Sequence, residues 1–106
     1  MASSPAEGLS AATQQQFETL RRHFAGGLTA RWHDISQAAD KPSRQALLHR
    51  LSGSAGSFGF DRLGQLAREA EGLCVLADMV ALEACLRQLD AEIKAVTQAL
   101  CLPRIP

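Results

Sequence analysis

The residues best placed to do chemistry lie between positions 45 and 59, in the stretch QALLHRLSGSAGSFG. A lone histidine, His49, stands there among Gln45, Ser52, Gly53 and Gly56. At about 100° per residue, Leu47, Leu51, Ala55 and Phe58 fall within about 80° of one another, the narrow apolar stripe of a helix docked on a core. On the same wheel His49 lies about 200° from Leu47, nearly opposite the stripe, with Gln45, Ser52, Gly53 and Gly56 on its side. The pattern predicts a solvent-facing imidazole in a clearing of small and polar side chains. A helix-interior glycine costs roughly 1 kcal/mol relative to alanine. Two beside one histidine therefore need a cause. Either another molecule approaches the backbone closely, or the helix ends early and the glycines belong to a loop.

Several chemistries fail on these residues. Gly53, Gly56 and Gly59 follow a GxxGxxG spacing. A dinucleotide loop needs GxGxxG after a strand, and a Walker loop needs GxxxxGK[ST]; neither is present. No nucleotide site is expected, so the chain is not a kinase by itself. Ser52 and Ser54 are close to His49, but a hydrolytic triad also needs an orienting acid and an oxyanion hole. A helical serine more often bonds back to a carbonyl one turn earlier. The face of His49 offers no second His, Cys or carboxylate for a metal, and no metal or cofactor is expected. What remains is one exposed imidazole. A ring nitrogen of an imidazole can act as a nucleophile and accept a phosphoryl group. In such a transfer the protein mainly positions donor and acceptor. Small residues around the ring give the acceptor's active site room.

Four helices are expected to position this stretch. Ser10 caps a long first helix, roughly 11 to 39, with Phe17, Leu20, Phe24, Leu28, Trp32 and Ile35 inward and a bend at Gly26 and Gly27. His23 and His33 on it have no partner at helical spacing and read as surface histidines. Asp40-Lys41-Pro42-Ser43 starts the second helix, about 42 to 57, which Gly59 terminates. Asp61 is a candidate cap for the third, about 61 to 74, with Phe60, Leu63, Leu66, Ala67, Ala70, Leu73 and Cys74 inward. The short turn between them implies an antiparallel hairpin. Asp78 caps the fourth, with Met79, Leu82, Leu86, Leu89, Ile93, Val96 and Leu100 at alternating steps of three and four. The expected fold is all-α: an antiparallel up-down-up-down four-helix bundle over 10–102, with a frayed tail over 1–9 and a short tail over 103–106.

Composition agrees. The 106 residues are enough for one core, and alanine, leucine, glutamine, arginine and glutamate dominate over β-branched types. Eleven basic and eleven acidic residues leave no basic excess to draw nucleic acid or an anionic membrane. No apolar run suits membrane insertion, and the first residues lack the charged and apolar regions of a signal peptide. Cys74, Cys85 and Cys101 show neither disulfide nor zinc spacing and read as small buried hydrophobes in a reducing cytoplasm.

The eleven residues His49-Arg50-Leu51-Ser52-Gly53-Ser54-Ala55-Gly56-Ser57-Phe58-Gly59 resemble the signature of histidine-containing phosphotransfer (HPt) domains, approximately H-x-L-K-G-[SA]-[SA]-x-x-[LF]-G. The resemblance implies a four-helix bundle in a multistep two-component phosphorelay. His49 takes a phosphoryl group from an aspartyl-phosphate on a receiver domain and passes it to another. The implied partners are receiver domains of response regulators or a hybrid sensor histidine kinase, with any Mg²⁺ belonging to the receiver. Gln45, Ser52, Gly53 and Gly56 would support the phosphoryl site of a cytoplasmic, monomeric carrier. The chain departs from the pattern at Ser52, where relatives commonly have lysine. A hydroxyl supplies no positive charge, and charge-assisted bonds are roughly twice as strong as neutral ones. That departure implies a less stabilised phosphorylated form. It also leaves room for two other readings: a non-phosphorylated adaptor that sequesters a receiver or kinase, and a bundle that dimerises through its last helix.

Overall fold

The structure is a computed structural model that describes residues 10–101. The tails expected over 1–9 and 103–106 lie outside the described residues, as does the side chain of Cys101. The described residues are helical apart from short connections. Its elements are α1 (Ala11–Gly26), α2 (Leu28–Gln37), α3 (Lys41–Ser57), α4 (Asp61–Leu76) and α5 (Met79–Cys101). They form the expected all-α bundle. The expected first helix is two segments, α1 and α2, that join at Gly27. There the Gly27 amide bonds the Phe24 carbonyl at 3.1 Å and the Arg31 amide picks up the Gly27 carbonyl.

Each start has a visible cause. The Ser10 hydroxyl accepts from the Thr13 amide, and the Asp40 carboxylate accepts from the Ser43 amide at 2.8 Å. Those Ser43 bonds hold the Asp40 carboxyl below its usual value. Pro42 occupies the first turn of α3, where its missing N–H is no loss. Asp78 caps α5 through the Ala81 amide at 3.1 Å. At α4 the expectation shifts by one position: Phe60 is the cap residue and Asp61 the first helical residue, where its charge favours the helix N-terminus.

The α3–α4 turn is a Schellman motif. The Phe60 amide bonds the Ala55 carbonyl at 2.9 Å, the Gly59 amide bonds the Gly56 carbonyl at 3.1 Å, and Gly59 sits at φ 80°. α1 clamps this turn. Arg21 Nε donates to the Phe58 carbonyl at 2.9 Å, and its guanidinium lies 4.5 Å from the centre of the Phe60 ring. Phe24 packs on both Phe58 and Phe60.

One core runs through the bundle. It is formed by Phe24, Leu28 and Ile35; Leu48, Leu51 and Ala55; Leu63, Leu66, Ala70 and Cys74; and Leu82, Cys85, Leu89, Ile93 and Val96. Three positions expected inside are not. Phe17 and Leu20 are exposed because α1 up to Leu20 lies at the edge of the bundle, and Met79 is exposed because it opens α5 at the rim. No helix among the described residues is long and apolar enough to cross a membrane.

Candidate functional site

α3 sets the site. Its buried residues are Leu48, Leu51, Ser52 and Ala55, while Leu47 and Phe58 are only half-buried. The buried face is therefore turned from the predicted stripe toward Leu48 and Ser52. The physical reason is α4, which packs along that flank of α3. Gly64 marks the contact: a Cβ there would lie 3.3 Å from the Ser52 carbonyl oxygen and 3.5 Å from the Gly56 nitrogen.

This corrects the placement of Ser52. It was expected on the open side beside His49, but it is buried with 7% exposure in the seam between α3 and α4. It contributes neither charge nor an exposed hydroxyl to the surface around the imidazole.

His49 is where its spacing predicted. Its side chain is 73% exposed. It shares a shallow depression with Gln45, Ala46, Arg50 and Glu71. Gln45 is half-buried one turn before it. Arg50, about 100° from His49 around the helix, also lines the depression with its exposed side chain. Arg44 turns the other way, donating from Nε to the Ile35 carbonyl at 3.2 Å.

The residue that sequence reasoning missed is Glu71. Its carboxylate lies 3.0 and 3.1 Å from His49 Nδ1. The carboxylate is the less exposed partner, at 22%. Helical spacing on α3 could not reveal a partner that α4 supplies. Hairpin register could have done so, because residues equidistant from Phe60 face each other across the turn: Gly56 meets Gly64, and His49 meets Glu71. With the Nδ1–H donating to Glu71, the second ring nitrogen, Nε2, is the one left with a lone pair.

The glycines also find their places. α3 runs through both Gly53 and Gly56 to Ser57, whose hydroxyl donates back to the Gly53 carbonyl at 3.0 Å. The reading in which the helix ends early is thereby removed. Both glycines are exposed, and a Cβ built on either meets no atom within 4 Å. Gly72 on α4, next to Glu71, is open in the same way. Packing among the described residues does not require glycine at any of the three.

The family model of the Hpt domain matches residues 7–99. The chain belongs to the Hpt domain family. No curated protein and no solved structure matches it. At family level an Hpt domain implies histidine phosphotransfer in a phosphorelay, and the matched span covers all of α1 to α4 and nearly all of α5. In this Hpt domain His49 is the histidine at the head of the signature. His23 and His33 are exposed on α1 and α2, away from it in the chain.

Proposed function

We propose that this Hpt domain is a phosphoryl carrier that accepts on His49 Nε2 from a receiver-domain aspartyl-phosphate and donates to a second receiver aspartate. The observation that carries the reading is the Nδ1–Glu71 pair on an exposed ring. A carboxylate accepting from Nδ1–H favours the tautomer in which Nε2 keeps its lone pair, on a ring open to an approaching partner. The same logic holds imidazoles in carboxylate–histidine pairs elsewhere.

In the accepting step the Nε2 lone pair forms the N–P bond as the P–O bond to the receiver aspartate breaks. That electron pair returns to the aspartate carboxylate. The Nδ1 proton stays on the ring, held by Glu71. In the donating step the N–P bond breaks, its electrons return to Nε2, and a second carboxylate oxygen takes the phosphoryl group. Catalysis here is positioning of donor and acceptor. Gln45, Gly53 and Gly56 support it: Gln45 by offering an amide beside the ring, the glycines by leaving space for the receiver. Ser52 has no such part from its buried position. The implied work is that of a carrier acting on receivers, in the cytoplasm, as a monomer and without a nucleotide site of its own.

The test is transfer from a phosphorylated receiver. Wild type is expected to acquire an acid-labile, base-stable phosphate, and His49→Gln none. Glu71→Gln keeps the ring but loses the carboxylate, and its rate should fall about 10- to 100-fold, as for other second partners of functional histidines. A label that persists in His49→Gln would sink the proposal. An undiminished rate in Glu71→Gln would remove Glu71 from it.

A further inference from the structure

A second concavity lies at the opposite end of α3's first turns from the α3–α4 hairpin, between the α2–α3 connection and the α4–α5 turn. Its volume is about 270 Å³. For scale, a dry apolar cavity of about 150 Å³ takes up benzene. Its wall is apolar, including Ala38, Cys74, Met79 and Leu82, and Asp40, Lys41 and Arg44 are its charged lining residues.

The charges are unevenly committed. The Asp40 carboxylate is engaged as the cap of α3, accepting from Ser43. Arg44 is half-buried and pinned by its Nε bond to the Ile35 carbonyl, and no carboxylate pairs with it among the described residues. Lys41 is exposed at the start of α3. Burial pushes the Cys74 thiol up, Arg44 and Lys41 act against that shift, and Glu71 adds to it. A pre-positioned guanidinium beside an apolar pocket is the arrangement that recognises an anion with an apolar tail.

We infer that this cavity binds a small apolar carboxylate, its tail against Leu82 and Met79 and its head group on Arg44 and Lys41. The volume suits a ligand the size of hexanoate. The inference is independent of the chemistry at His49.

The probe is sodium hexanoate in an amide NMR titration of the full chain, with hexanol and hexylamine as matched controls. Hexanoate should give saturable shifts centred on Ala38, Cys74 and Met79 with a Kd of about 1 mM, in the range expected of a ligand this small. Hexanol and hexylamine should bind at least about threefold more weakly, the loss expected when a charge contact is removed. Arg44→Gln should weaken hexanoate about tenfold. Because Arg44 also holds the α2–α3 connection, the exposed Lys41→Gln serves as the second variant and should weaken it about threefold. Equal binding of hexanol, unchanged affinity in Lys41→Gln, shifts centred elsewhere, or no saturation would each overturn the assignment.

Discussion

Gly64 and the pair Gly53 and Gly56 are the same residue type on two faces of one hairpin, with opposite physical causes. At Gly64 a Cβ would press on the Ser52 carbonyl, so that glycine exists to let α3 and α4 approach. At Gly53 and Gly56 a Cβ would meet nothing. The chain therefore gives up helix stability on its open face with no return from packing among the described residues. The difference separates a glycine that packing requires from glycines that packing among the described residues leaves unexplained, and the latter lie on the face that carries His49.

The comparison can be broken from its open side first. Gly56→Leu adds a side chain where there is free space, so the fold should hold. Transfer from a phosphorylated receiver should fall by about 100-fold, the cost of about 1 Å of misplacement between reacting groups. A variant that transfers at the wild-type rate would show that the clearing serves no partner. The packed side gives the next largest effect. Gly64→Val overfills the α3–α4 seam and should lose about 2–3 kcal/mol in urea unfolding. The smallest effect has the opposite sign: Gly53→Ala should gain about 0.5–1 kcal/mol by helix propensity alone. If Gly53→Ala were as damaging as Gly64→Val, the two faces would not differ as argued.

The sequence made much of this legible because the signals were local. Helix starts were readable from Ser10, Asp40-Lys41-Pro42 and Asp78, which cap through bonds within three residues. The stop at Gly59 was equally local, since it needs only a positive φ. The exposure of His49 followed from its position opposite Leu47 and Leu51. What failed was set by neighbouring helices. Ser52 looks polar and open on a wheel, but α4 covers it. Leu48 was left out of the predicted stripe because the wheel could not say how far α4 wraps around α3. Glu71 is invisible to any scan along α3, since its nearness to His49 depends on the register of the hairpin. Phe17 and Leu20 continue the apolar spacing of α1 into a stretch that the other described residues leave exposed.

In the proposed carrier, Glu71 holds Nδ1 and leaves Nε2 of an exposed His49 to carry the phosphoryl group. The direct measurement is nitrogen and phosphorus NMR of the chain after incubation with a phosphorylated receiver. A single phosphoramidate is expected, on His49, with phosphorus coupled to Nε2 and the proton on Nδ1. Phosphorus on Nδ1, or on any residue other than His49, would contradict it.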